Sequence, residues 1–283
     1  MQNEAYTAAS ERIEQQALDD LFQTAPDDTR QALGLARYDT SSGTCYLAAK
    51  EPNILLNRVI GIGIQQPATA ADIGMILDCY SAAGVADYFL HIQPWVRPAQ
   101  IWNWLFEAGL ARSRGWTQFV RNAASPAGCS TALRVEQIGP GYADEFARIA
   151  ADGFDLSVAA RPAIAALVGL PGWYHFMTYS GDQPAGVAAL RVADDVAWFD
   201  WAATDVAFRG QGSQTALLNR RIEKALELGC HTLCTETGEA VPGDPQHSFR
   251  NLVKAGFRPT HTRDNFSPTA AYDENGRIPS AAS

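Results

Sequence analysis

Residues 204–218 read TDVAFRGQGSQTALL, and this stretch limits the fold more than any other. The strand-like pattern VAWFDWAAT runs into Arg209-Gly210-Gln211-Gly212. The chain then passes directly into a helical pattern whose Ala216, Leu217, Ile222, Ala225 and Leu226 share one side. Two glycines let the backbone turn where side chains would obstruct it, so successive amide N–H groups can point at one anion. A helix starting there adds its unpaired N-terminal amides and the positive end of its dipole. Such a corner suits a pyrophosphate. It is not a Walker loop, because no Gly-Lys-Ser/Thr follows.

The rest of the chain alternates strands and helices, which points to an α/β class with a mixed sheet. The pattern predicts a helix at 4–24, strands at 44–49 and 57–64, a helix at 70–83 stopped by Gly84, and a strand at 87–93. A helix at 98–109 and a strand at 116–121 follow, then the turn-rich stretch 122–131, read as a linker. Beyond it come a strand at 132–138, helices at 142–152 and 161–169, and strands at 173–180, 185–193 and 196–205. A helix at 213–228, a strand at 231–236, a helix at 247–255 and a strand at 257–264 close the pattern. Residues 269–283 are polar and aperiodic and read as a flexible tail. Both halves run strand, helix, strand, helix, strand, and in both the last helix ends in AlaGly, at 108–109 and at 255–256. That repetition predicts a duplicated domain, cut at 1–124 and 125–268.

Charge and composition narrow the partners. The net charge is −9 and the three lysines (Lys50, Lys224, Lys254) are far apart, so the clustered positive charge of a nucleic-acid binder is absent. The apolar runs fall short of the roughly 20 residues that span a bilayer, and residues 1–20 lack the apolar core of a signal peptide. Five widely spaced cysteines without a C-x-x-C pair, and five histidines without an H-x-x-x-H pair, predict reduced thiols, no metal site and a cytoplasmic protein.

Arg209-Gly-x-Gly212 followed by GlnThrAlaLeu, together with SerPheArgAsnLeuValLysAlaGlyPhe at 248–257, resembles the Gcn5-related N-acetyltransferase (GNAT) family. The likeness is strong over about 132–266 and departs from the usual loop at Gln214, where Gly or Ala is common. It implies the GNAT acyltransferase fold, two such domains in tandem with a degenerate first copy, and acetyl-coenzyme A (acetyl-CoA) as co-substrate. It further implies that the backbone of Thr204, Asp205 and Val206 pairs with the pantetheine arm, and that Val206 lends an oxyanion-hole N–H. Arg209 and the amides of Gly210, Gln211, Gly212, Ser213, Gln214 and Thr215 would hold the pyrophosphate. Ser248 and Asn251 would flank the cofactor. The family's usual acidic tyrosine falls at Leu252, which removes that route for protonating the thiolate.

Two carboxylates are candidates for the base, Asp200 inside an apolar strand and Glu236 at a strand end. Each also has a plain reading, as a solvated or ion-paired strand residue and as a loop-edge carboxylate. His247 reads as a neighbour of a helix cap. The expected reaction is acetyl transfer to a primary amine of a small molecule, and the acidic balance favours a cationic one. A homodimer is compatible with the chain. The alternative is a non-catalytic acyl-CoA sensor or a scaffold. In the first half, Gly61-Ile62-Gly63 reads as a tight strand end, since Gln66 stands where a dinucleotide fingerprint needs glycine. Residues 65–72 replace the anion loop there, with Pro67 lacking an N–H and Asp72 adding a charge.

Overall fold

The computed structural model describes residues 2–126, 128 and 131–268, with side chains from Ala8 onward. The tail at 269–283, Cys129 and part of the linker at 122–131 lie outside the described residues. The chain forms two compact units, and neither is a continuous stretch. Of the described residues, the larger takes those up to Ala32 and those from Gln118 to Thr260; the smaller takes Leu33–Thr117 and those from His261 to Pro268. The units therefore do not follow a linear cut near residue 124. The first helix folds with the second half of the chain, and two strands change unit part-way along.

In the smaller unit, β1 (Leu35–Asp39), β2 (Thr44–Ala48) and β3 (Arg58–Ile60) pair antiparallel in that order. Helix α3 (Ala70–Ala82) then carries the chain to β4 (Phe89–Ile92), which lies parallel to β3. Helix α4 (Ile101–Glu107) precedes β5 (Leu110–Asn122), whose first part belongs here. The later part of β11 (Arg258–Pro268) pairs antiparallel with β4. The core gathers Ile73, Ile76 and Tyr80 of α3 with Val59, Leu90, Ile92 and Leu105. The strand predicted at 57–64 is shorter than expected, because Gly61 (φ +81°) and Gly63 (φ +69°) turn the chain after Ile60.

The larger unit repeats the plan. After β6 (Arg134–Ile138) come α5 (Ala143–Gly153) and α6 (Arg161–Ala165), then β7 (Trp173–Ser180), β8 (Gln183–Ala193) and β9 (Val196–Thr204), with β6 through β9 antiparallel. Helix α7 (Ser213–Glu227) crosses to β10 (Thr232–Gly238), parallel to β9, and α8 (His247–Lys254) leads to β11. Ala216, Leu217, Leu218, Ile222 and Ala225 bury one side of α7 against Ala188, Leu190, Ala197, Phe199 and Leu233. This unit also holds α1 (Gln2–Thr24). Asp20 of α1 accepts hydrogen bonds from Arg191 Nε (2.7 Å) and Trp173 Nε1 (2.8 Å). The short α2 (Asp27–Leu33) and the edge strand β1 were not expected from the pattern; LARYD is too short and mixed to show a period.

Candidate active site

Strands β9 and β10 part company early. Their pairing runs Thr232 with Val196, Leu233 with Ala197 and Cys234 with Trp198, and ends there, while β9 continues to Thr204 and β10 to Gly238. At the parting point the Thr235 hydroxyl donates to the Phe199 carbonyl (3.0 Å), where a strand partner would otherwise do so. On its other edge β9 carries a bulge. Val187 faces Ala203 while Ala189 faces Asp200, and Trp201 takes a left-handed conformation (φ +46°). The bulge is held from two sides. The Asp200 carboxylate accepts the Trp201 amide at 2.8 Å. The Arg221 guanidinium, 2% exposed, donates to the carbonyls of Ala189 (3.1 Å), Asp200 (3.3 Å) and Leu217 (3.2 Å) and lies over the Phe199 ring. Burial pulls this arginine down to about 9, against the opposing pull of Asp200, so the clamp is charged at neutral pH.

At the far end of β9, Asp205 caps a 3-10 turn by accepting the Ala207 amide (3.1 Å), and its own amide donates to Ala185 (3.0 Å). Arg148 of α5 lies 3.6 Å from the other Asp205 oxygen. Gly210 (φ +80°) and Gly212 (φ +87°) then turn the chain into α7. Gly212 is the helix cap and supplies no side-chain acceptor. Among the described residues, the amides of Gly210, Gln211, Gly212, Ser213, Gln214 and Thr215 find no backbone acceptor. The Gln211 carbonyl, by contrast, is turned away and accepts from Thr131 (2.7 Å). Arg209, Gly210, Gln211, Gly212 and Thr215 are exposed. A Cβ on Gly210 would meet nothing within 4 Å, so the corner is open on that side.

The start of α7 is fixed by packing. Ser213, 2% exposed, sits 2.8 Å from the Thr178 hydroxyl on β7. Gly186 lies close enough that an added Cβ would overlap the Ser213 oxygen. Gln214, the departure from the usual loop, reaches back and donates to the Thr204 hydroxyl (3.3 Å). These contacts hold the start of the helix in place beside the amides that find no backbone acceptor. Such a corner accepts an anion, and the edge of β9 beyond its last pair with β10 can pair with an extended, amide-bearing ligand.

Ser248 is exposed and Asn251 half-buried on α8, where Phe249 packs on Phe119. Leu252 is buried in the core with Phe257, so the position of the missing tyrosine is a packing position here. His247 is the first residue of α8 and pairs with Arg250 (3.3 Å); the cap itself is Gln246. Ala197, Phe199 and Leu233 face the helices α7 and α8, so alternation turns Asp200 and Glu236 to the opposite face of the sheet. Cys234 and Glu236 are there linked to α1 through Ser10 and Gln118. Gln118, Ser10, Thr178, Thr235 and Arg221 belong to this site, and no local motif marks them in the sequence.

The sequence of residues 147–243 matches the model of the acetyltransferase (GNAT) family. Residues 147–243 are a GNAT acetyltransferase domain. The fold is similar to that of a GCN5-related N-acetyltransferase from Kribbella flavida (TM-score 0.63, 14% identity), covering 91% of this chain and 95% of that one. It is also similar to a tandem GNAT protein from the clavulanic acid biosynthesis pathway (TM-score 0.54, 14% identity, 90% and 94% covered). A conserved protein of unknown function from Staphylococcus epidermidis has TM-score 0.55 at 11% identity, with 86% and 98% covered. No curated protein matches the sequence. At these identities the solved structures speak to fold alone, and it is the GNAT fold over most of the chain. The family match supports an acetyl-transfer function, and GNAT domains typically use acetyl-CoA. Among the described residues no His, Cys, Asp and Glu group could hold a metal ion, and no helix is long and apolar enough to cross a membrane.

Proposed function

We propose that the chain is an acetyl-CoA-dependent N-acetyltransferase for a small, cationic primary amine. The observation that carries this reading is the corner at Arg209–Thr215: open, free of side chains at two left-handed glycines, and lined by amides without backbone acceptors. Acetyl-CoA supplies an acetyl group activated as a thioester. Ser213, Gln214 and Thr215 offer N–H groups to its pyrophosphate, and the β9 edge from Asp200 to Thr204 offers the backbone for its arm. The Val206 amide, which also finds no backbone acceptor among the described residues, is the oxyanion donor of this reading. The bulge fixed by Arg221 and Asp200 sets the direction of that edge.

On the opposite face, Glu236 takes the proton that the amine loses as its nitrogen bonds to the acetyl carbon. The C–S bond breaks as the intermediate collapses, and solvent protonates the departing thiolate because Leu252 cannot. Asp200 adds a second negative charge that favours an ammonium-bearing acceptor. The net charge of −9 acts in the same direction at longer range. The test is acetyl-CoA consumption, read by thiol release, across polyamines, aminoglycosides and aromatic amines. Turnover with cationic amines is expected. Coenzyme A binding without turnover on any of them would point to a sensor.

Asp200→Asn separates charge from structure. Asparagine keeps an oxygen that can accept the Trp201 amide, so the bulge and cofactor affinity should persist. The turnover number should fall about tenfold, more than acetyl-CoA binding weakens. Steady-state kinetics between about pH 6 and 8 decide it; wild-type behaviour throughout would leave Asp200 as the bulge's anchor and nothing more.

A further inference from the structure

Gln118 joins two polar groups within the larger unit. Its Nε2 donates to Glu236 Oε2 at 2.6 Å, and its Oε1 accepts from Ser10 Oγ at 2.9 Å. Gln118 is 3% exposed and Ser10 6% exposed, while Glu236 is half-buried. Burial on this scale makes the amide's direction matter. Flipping it would set a carbonyl oxygen against a carboxylate, so Glu236 fixes which end of the amide faces it, and the Ser10 hydroxyl, donating on the far side, holds the amide in place. The 2.6 Å bond to a carboxylate is short and charge-assisted, the kind that holds an anion's rotation as well as its place.

The three residues come from three separate parts of the chain: α1, β5 and the portion of β10 beyond its last pair with β9. The other group that Ser10 touches, Cys234, offers no competing chemistry. Burial takes its thiol up to about 12, against the lowering effect of the Ser10 bond, so it is neither nucleophile nor base.

We infer that Gln118, backed by Ser10 of α1, is the positioning residue for Glu236 and holds its carboxylate in the orientation that accepts the amine proton. The inference rests on the proposed role of Glu236 as base. It also gives α1 a part in the chemistry: the first helix of the chain steadies a group on the far side of the acetyl-transfer domain.

The experiment compares wild type, Gln118→Ala, Ser10→Ala, Glu236→Gln and the Gln118→Ala/Glu236→Gln double variant. Acetyl-CoA and the fastest amine of the panel are the substrates. Gln118→Ala should lower kcat about tenfold while acetyl-CoA affinity and acceptor KM stay within about twofold, and Ser10→Ala should give a smaller drop. Gln118→Ala should add nothing to Glu236→Gln, because an orienting group has no effect once the base is gone. An activity-free signature accompanies this: the Gln118 side-chain amide resonance, identified by its loss in Gln118→Ala, should move in Glu236→Gln. Should Gln118→Ala fail to fold, Gln118→Met keeps the volume and is judged by the same criteria. Wild-type kcat in Glu236→Gln, or no turnover with any amine, overturns the base assignment and this inference with it. A slow Glu236→Gln beside an unaffected Gln118→Ala, or additive losses in the double variant, overturns the inference alone.

Discussion

Gly212→Glu is expected to abolish coenzyme A binding in a protein that stays folded. Gly212 caps α7 at φ +87°, where any side chain is strained. That strain is roughly 1–2 kcal/mol, which a domain with about 5–15 kcal/mol of stability survives. The effect on the ligand is much larger. The amides around Gly212 are the donors for the pyrophosphate, and each hydrogen bond to a charged group contributes roughly 1.5–3 kcal/mol. Losing two of them, with a carboxylate placed among them, weakens binding by at least about 3 kcal/mol, or more than about a hundredfold. Calorimetric titration with coenzyme A, alongside circular dichroism to verify the fold, reads this directly. Unchanged affinity in a folded variant would remove the loop from the cofactor site.

The parts of this molecule that were legible in the sequence are those encoded locally. The Arg209–Gly212 corner announces itself because two glycines and a helix start must be adjacent to work. The helix α7 is legible because its apolar side recurs at helical spacing over 15 residues. The repeated order of strands and helices is likewise visible, since each unit must carry its own crossover between parallel strands. The exchange of strand ends between units was not legible, because β5 and β11 each read as one continuous strand whichever unit takes each part. The companionship of α1 with the second half was hidden for the same reason. It rests on single side chains, Asp20 with Arg191 and Ser10 with Gln118, more than 100 residues apart.

The two carboxylates show the same limit. Asp200 drew notice as a charge inside an apolar strand, and its nearest use is local: it caps the amide of the next residue at a bulge. Nothing in VAWFDWAAT announces a bulge, because the extra residue is defined by its partner strand and not by its own sequence. Glu236 reads from the sequence more readily as a loop-edge carboxylate than as a base. What distinguishes it is Gln118, whose relevance appears only once β5 stands beside β10.

Each chain is expected to bind one coenzyme A and not two, although both units carry a parallel strand pair joined by a helix. In the larger unit that helix starts at Gly212 with its amides open. In the smaller unit the corresponding helix, α3, starts at Thr69, and an anion is already built in. The Thr69 hydroxyl accepts the Asp72 amide (3.2 Å), while the Asp72 carboxylate accepts from the Thr69 amide (2.8 Å) and hydroxyl (2.9 Å), closing a capping box. The Ser41 amide (3.0 Å), the Ser41 hydroxyl (2.8 Å) and the Ser42 hydroxyl (3.0 Å) donate to the same carboxylate. Burial works against this charge, yet the hydrogen bonds from Ser41, Thr69 and Ser42 outweigh it and take the carboxyl down to about 2. Asp72 is therefore ionised at any pH at which the protein would be assayed. It occupies the dipole end that a pyrophosphate would use, and a second anion brought there would meet its charge with the donors already engaged. Pro67, in the connection that leads to this helix, removes a further N–H. Equilibrium dialysis at saturating coenzyme A gives the count, with about one per chain expected. The Gly212→Glu variant sharpens it: a value near two in the wild type that falls to near one in that variant would show that the smaller unit holds a working site despite its internal carboxylate.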